Sequence, residues 1–417
     1  MAPTGRTESP PSPRRASGGL TREGLAAVSS VLRGPVEQGG LPGLVSLVAR
    51  GAQVHVDALG VQDLQSGVPM RRDTLFRIAS MGKPVTAVAT LMLVEDGRLQ
   101  LDGPVDRWLP ELANRRVLRA LDSPLEDTVP ARRPITVRDL LTLRLGTGAV
   151  MAPPNTYPIQ KAMQAERVAP GFEPIPHTPD EFMRRLGALP LIHHPGERWM
   201  YHTGFEVLGV LVARASGMGL DDFLSERLFK PLGMNDTAFS VPQEKLDRVS
   251  TAYQRAPGTG ALTAWDSPLS GLLSHPPAFL AGGGQGGGLV STADDFLTFC
   301  RMLLNQGRHG ATRLLSPESL QQMLTDQIPP EQKAASPFFP GFWDTSGWGF
   351  GGSVTTRPDG ISPTAGRYGW AGGFGTTFFI DPDQDLVALL LTQRIMSGPD
   401  DEAFAVAFSK AAYAALG

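Results

Sequence analysis

The sequence predicts an α+β fold in which one sheet is assembled from both ends of the chain and flanked by helices, with a mainly helical lobe inserted between its halves. Three observations carry this: two adjacent β-prone segments behind an N-terminal helix, a group of strands followed by a helix near the C-terminus, and a long stretch of helices and proline-rich loops between them. The 417 residues suffice for one large or two medium domains with a substantial core. We expect a flexible tail over residues 1–19 and one unit over 20–417, its sheet lobe drawn from about 20–98 and 280–417 and its helical lobe from about 99–279.

Residues 1–19 are rich in Pro, Ser, Gly and Arg and hold no apolar h-region, so Arg14-Arg15 is not followed by what a secretory signal needs. No apolar run approaches the roughly 20 residues of a membrane span. Together these predict a cytoplasmic protein without a membrane span. Residues 20–32 have helical periodicity and should stop at Gly34-Pro35. Residues 44–49 and 54–59 are apolar and β-prone, and Arg50-Gly51-Ala52 between them marks a hairpin. Residues 85–94 are almost all apolar, which predicts a helix buried on every side and ended by Gly97. Pro84 has no N–H to donate and is tolerable only near a helix start, so this helix should open at about Ser80.

From 99 to about 279 helices dominate. Thr136-x-x-Asp139 starts one, and Thr178-Pro179-Asp180-Glu181 is a capping box with proline at the first helical position. Another covers 205–214 and is stopped by Gly217. Ser291 or Thr292 caps a helix through Leu304 that ends near Gly307. Residues 347–351, 368–373, 376–380 and 386–392 read as strands, with Asp381-Pro382-Asp383-Gln384 turning between the last two, and a final helix covers 402–416.

A net charge of -3 gives no electrostatic case for binding nucleic acid or an anionic membrane. The single cysteine, Cys300, excludes an intramolecular disulfide and lies in the apolar helical run 296–304, where it reads as a buried, inert thiol.

The chemistry concentrates at Ser80-Met81-Gly82-Lys83. Residues three apart on a helix share a face with Cβ atoms roughly 5–6 Å apart, so the lysine amine reaches the serine hydroxyl and supplies a base to a nucleophile. The hydroxyl would also sit at the positive end of the helix dipole. Alone the tetrapeptide is weak, since about one chain in three of this length holds one by accident. Its setting strengthens it: at the mouth of an apolar helix, burying a lysine without a partner is costly. Tyr201 follows the Pro195-Gly196 turn just ahead of a helix, in place to move a proton. Gly369-Trp370-Ala371-Gly372-Gly373-Phe374-Gly375 lies on a strand, where glycines let a ligand approach the backbone. The glycine run 282–288 lacks the following Gly-Lys-Ser/Thr of a phosphate loop and fits no dinucleotide fingerprint, so we read it as a tight bend beside the site. The Gly-x-Ser-x-Gly elbow of α/β-hydrolases is absent. His193 and His194 are adjacent rather than at i, i+4, there is no His-Glu-x-x-His, and we expect neither metal nor cofactor.

These motifs resemble those of the serine β-lactamase and penicillin-binding-protein family, and most closely its esterase branch, the family VIII carboxylesterases, over residues 20–417. Ser80-Met81-Gly82-Lys83 matches the family's Ser-x-x-Lys, Tyr201-His202-Thr203 stands for Tyr-x-Asn, and Trp370-Ala371-Gly372 takes the place of Lys-Thr-Gly in the Trp-x-Gly form of the esterases. Flanking stretches agree, among them Gly97-Arg98-Leu99-Gln100-Leu101-Asp102 and Gly287-Gly288-Leu289-Val290-Ser291-Thr292. The resemblance implies the β-lactamase/DD-peptidase-like fold, an antiparallel sheet flanked by helices with a helical lobe and the site in the cleft between. It further implies that Ser80 attacks the substrate carbonyl, Lys83 takes its proton, Tyr201 relays a proton to the leaving group, and the N–H groups of Ser80 and Gly373 hold the oxyanion. Trp370, Ala371, Gly372, His202 and Thr203 would contact substrate.

The departures favour esters. Trp370 presents an apolar face where relatives present a cation to a substrate carboxylate, and Thr203 replaces an asparagine that contacts amide groups. Leu143-Arg144-Leu145-Gly146 stands where relatives have His-Thr-Ser-Gly, so the loop beside the pocket should differ. Trp108, Phe172, Trp265, Phe279, Phe338, Phe339 and Trp343 are available to an acyl pocket, although core packing has the prior claim on each. The expected function is hydrolysis of small-molecule carboxylic esters with short or medium acyl chains through an acyl-enzyme on Ser80. A β-lactamase, D-Ala-D-Ala peptidase or amidase on the same fold is the alternative, and a non-catalytic binding protein the lesser one. The sequence is silent on oligomeric state.

Overall fold

The computed structural model describes residues 18–268 and 273–417. The expected tail therefore lies outside the described residues except for Gly18 and Gly19, and the Gly19 carbonyl accepts the Gly417 N–H at 3.0 Å. The main sheet contains β1 (Gly43–Arg50), β2 (Gln53–Gly60), β3 (Ser346–Trp348), β4 (Ser353–Thr355), β5 (Tyr368–Gly372), β6 (Thr376–Asp381) and β7 (Leu386–Thr392). Its order is β3-β4-β5-β6-β7-β1-β2 and every pairing is antiparallel. The N-terminal hairpin thus completes a C-terminal meander, with Leu47 opposite Leu389 and Val45 opposite Leu391.

Five helices matter for the site: α1 (Arg22–Glu37), α2 (Gly82–Glu95), α3 (Thr203–Ser216), α4 (Ala293–Leu304) and α5 (Ala403–Ala414). The unbroken apolar run of β7 follows from burial on both faces. Leu386, Ala388 and Leu390 join Val28 and Leu32 of α1 and Phe408 and Ala412 of α5 in one cluster. Val387, Leu389 and Leu391 point the other way, into the large core with Phe296 and Phe299 of α4 and the apolar residues of α2 from Val85 to Val94. Lys83 through Leu93 of α2 are buried on every side. The helix ends in a Schellman motif: Arg98 N–H reaches the Leu93 carbonyl and Gly97 N–H the Val94 carbonyl, with Gly97 at φ +71°.

Several elements differ from expectation. α1 does not stop at Gly34-Pro35 but runs to Glu37, because proline removes only its own N–H while Val36 beyond it packs against the cluster under the sheet. The strand expected over 347–351 ends at Trp348; Gly349 donates to the Gly352 carbonyl and Gly351 turns the chain at φ +83°. A Cβ on Gly351 would stand 2.9 Å from the Lys83 carbonyl carbon and oxygen, so glycine lets this turn rest on the backbone of α2. The helical block also holds two short ribbons, Arg116–Leu118 with Thr128–Pro130 and Ala252–Arg255 with Leu262–Asp266. At Thr178 the cap is single: its hydroxyl accepts the Glu181 N–H, but the Glu181 carboxylate pairs with Arg184 and Arg185 rather than folding back. Thr136 and Asp139 form the complete reciprocal box.

Candidate active site

Ser80 does not begin the α-helix proper. It lies in a single 3₁₀ turn, Ala79–Met81, ahead of Gly82, with Ala79 held at φ +44°. Lys83, one turn on, is fully buried. Its Nζ lies 2.8 Å from Ser80 Oγ, 2.5 Å from the Gly283 carbonyl oxygen and 3.2 Å from His202 Nδ1, and 4.6 Å from the centre of the Tyr201 ring.

The glycine run 282–288 is indeed a bend against the nucleophile. Gly284 adopts φ +92°, and a Cβ there would meet the Ala79 carbonyl at 2.3 Å and the Ser80 nitrogen at 2.7 Å. Only glycine lets the loop lie this close while Gly283 turns its carbonyl to the lysine. Tyr201 and His202 occupy the entry to α3, where His202 takes φ +110° and ψ −59°, a strained conformation for a residue with a side chain. Tyr201 Oη accepts the indole N–H of Trp370 at 2.7 Å and lies within hydrogen-bond reach of the Ser80 hydroxyl. Its ring stacks on Trp199 at 5.7 Å and tilts against Phe338 at 5.3 Å. The indole donor of Trp370 is therefore used by the tyrosine and is not free for substrate.

Burial sets the protonation states. It pulls the Lys83 amine down to about 7 against the opposing pull of Glu206, and it pushes the Tyr201 phenol up to about 12 against its bonds from Ser80 and Trp370. His202 falls well below the usual histidine value through burial and the nearby lysine. The Glu206 carboxyl is raised by burial, which Lys83 and two backbone N–H groups partly offset.

A cavity of about 290 Å³ opens over Ser80. Of the residues singled out in the sequence, Ser80, Tyr201, His202, Trp370, Ala371 and Gly373 line it, and Lys83 lies beneath. Gly372 instead packs against the Ile78 carbonyl, which a Cβ would approach to 2.3 Å. Thr203 is 2% exposed at the start of α3, and its hydroxyl has no partner among the described residues. Neither is among the residues that line the cavity. Phe172 and Phe338 line the cavity; Trp108, Trp265, Phe279, Phe339 and Trp343 do not. Arg144 turns away, donating to Thr142 Oγ1 and Gln332 Oε1 at 2.9 Å each. Sequence reasoning missed Glu206 and Glu402. Glu206 left a signal, the one charge inside the apolar run 203–212, whereas Glu402 joins the lining only through the fold.

The beta-lactamase family profile matches residues 28–411. An uncharacterized protein of Mycobacterium tuberculosis is 39% identical over 386 residues, 90% of this chain and 92% of its own length. Esterase EstB of Burkholderia gladioli is 31% identical over 381 residues, 86% of this chain and 88% of the esterase. Among solved structures EstCE1, a hydrolase with promiscuous acyltransferase activity, matches with a TM-score of 0.75 at 26% identity, covering 94% of this chain and 99% of that one. A serine beside a buried lysine, on this fold and among these relatives, identifies the chain as a hydrolase that belongs to the beta-lactamase family, in its esterase branch.

Proposed function

We propose that this chain cleaves carboxylic esters with short or medium neutral acyl groups through an acyl-enzyme on Ser80, with Lys83 as base and Tyr201 as proton relay. The observation that carries the reading is the Lys83 amine 2.8 Å from Ser80 Oγ, beneath a largely apolar cavity with Tyr201 on its wall. As Ser80 Oγ attacks the ester carbonyl its proton passes to the neutral amine, and the oxyanion is held by the N–H groups of Ser80 and Gly373. The Lys83 ammonium then gives that proton to Tyr201 as Tyr201 hands its own to the departing alkoxide, so both groups return to their starting states. Water attacks the acyl-enzyme by the reverse sequence, releasing the acid and restoring Ser80. A phenol raised by burial is a poor base at neutral pH and a lowered lysine a good one, which supports giving the base role to Lys83. We take the cavity to be the cleft between the two lobes, since Ser80, Trp370 and Gly373 come from one and Ala149, Phe172 and Tyr201 from the other.

The test is covalent. A fluorophosphonate should add once, at Ser80, as read by intact mass and peptide mapping; addition at another serine instead would overturn the assignment. The pH dependence follows from the same base. The amine must be neutral to accept the proton, and burial lowers its titration toward about 7, so kcat/KM should rise with pH through neutrality and level off above it. An optimum near about pH 5 would require a carboxylate base in place of the lysine.

A further inference from the structure

A neutral amine has two hydrogens and one lone pair, and Lys83 has three partners within hydrogen-bond distance: the Gly283 carbonyl, His202 Nδ1 and Ser80 Oγ. For the lone pair to face the serine hydroxyl, the other two partners must both accept. A carbonyl can only accept. An imidazole nitrogen accepts only when the proton sits on the other nitrogen. His202 Nε2 lies 3.6 Å from Glu206 Oε1, so a carboxylate faces the nitrogen that must carry the hydrogen. The same carboxylate also holds the loop that bears the carbonyl: Glu206 Oε2 accepts the Gly283 N–H and Oε1 the Gln285 N–H, each at 3.1 Å.

We propose that Glu206 and His202 are positioning residues that aim the Lys83 base: Glu206 keeps His202 in its Nε2–H tautomer and anchors the Gly283 carbonyl, and these two acceptors occupy the amine hydrogens so that the lone pair meets the Ser80 hydroxyl. This rests on the esterase reading above. Glu206 is 1% exposed and His202 7%, at the start of a helix that continues into the apolar run 207–212, and a buried carboxylate there is a poor choice for packing alone. The strained backbone of His202 directs its ring between the Lys83 amine and the Glu206 carboxyl, as stored strain does at functional sites. The groups facing the amine are Ser80 from its own turn, Tyr201 and His202 from the entry to α3 and Glu206 from α3; the glycine loop contributes only its carbonyl. The lowered basicity of His202 agrees with a ring that stays neutral.

The decisive measurement is ¹⁵N NMR of histidine-labelled protein near neutral pH, with the His202 signals identified by their loss in His202→Asn. Wild type should show the Nε2–H tautomer; the Nδ1–H tautomer or an imidazolium at His202 would overturn the proposal. Glu206→Gln should lose that tautomer, lower kcat for p-nitrophenyl butyrate by about 10²-fold, as misaimed catalytic groups do, and leave KM nearly unchanged. Its acid limb should move to lower pH, because the charge that raises the lysine is gone. Glu206→Asp, which keeps the charge, should recover part of the loss. A folded Glu206→Gln with wild-type kcat and pH profile would also overturn it. Should Glu206→Gln not fold, His202→Asn and His202→Gly decide. Both tolerate the positive φ, but only asparagine offers an acceptor to the amine, and equal activity in the two would refute the role of Nδ1. The tautomer is read without turnover, so an inactive wild type would defeat the esterase reading and leave this measurement standing.

Discussion

Lys83→Ala should lower kcat for p-nitrophenyl butyrate by about 10³-fold, within the ~10²–10⁴ that a positioned base contributes. The loss should appear in kcat rather than KM, since the amine lies beneath the cavity and meets Ser80 Oγ, Gly283 and His202 rather than the substrate. Removing it leaves a buried carbonyl and a buried ring nitrogen without a donor, each worth about 1–3 kcal/mol when unsatisfied, so the variant should also melt earlier. Circular dichroism and a thermal melt separate the two effects: the kinetic loss must persist well below the variant's transition. Retention of more than about a tenth of wild-type kcat in the folded variant would be too small a loss for removal of a general base and would exclude the lysine. Tyr201→Phe should also fall steeply, for a different reason. It strips the proton relay and leaves the Trp370 indole N–H without its acceptor, while the stack on Trp199 survives.

The layers of the fold were legible because period and punctuation coincide. β1 and β7 matched their apolar runs nearly residue for residue, since strands buried on both faces admit little else, and the Arg50-Gly51-Ala52 turn fixed β2 beside them although it is a partly exposed edge strand. Gly97 and Gly217 marked their helix ends because a left-handed residue is needed there. Errors arose where tertiary contact overrode a local signal. Pro35 was tolerated because Val36 had a surface to reach, and the glycines around 349–351 formed a turn pressed on α2 rather than a strand. In the site, the closeness of Ser80 and Lys83 follows from their three-residue spacing at the mouth of an apolar helix, and that of Tyr201 and Trp370 from motif order. What spacing does not convey is direction. The positive φ of His202 swings its side chain onto Lys83, and Thr203 next to it is buried away from the cavity. Glu206 was hidden in another way: a glutamate in the first turn of a helix reads as a partner for the helix dipole until the glycine loop is known to pack over it.

Wild type should favour p-nitrophenyl butyrate over benzylpenicillin by well over one to two decades in kcat/KM. A penicillin brings a carboxylate that relatives with Lys-Thr-Gly meet with a cation. Here Trp370 stands in that place, its single donor already given to Tyr201, and the described lining of the cavity contains no lysine or arginine. It does contain Glu402, which supplies no counter-charge and repels a substrate carboxylate to the extent that it is ionised, an extent that burial reduces. The missing charge-assisted hydrogen bond alone is worth roughly 1.5–3 kcal/mol, or about one to two decades. The neutral ester would lose nothing for want of a cation, and its acyl chain would have Phe172, Phe338 and Met396 of the cavity lining to pack against. Trp370→Lys should narrow the gap from both sides: it supplies a cation for the carboxylate, and it slows butyrate turnover because the indole no longer holds Tyr201. The measurement is kcat/KM for both substrates on wild type, Trp370→Lys and Glu402→Gln, with Glu402→Gln expected to raise the penicillin value while leaving the ester nearly unchanged. Hydrolysis of benzylpenicillin by wild type as fast as the butyrate would mean that some other group in the cavity binds the carboxylate, and the preference for neutral esters would have to be given up.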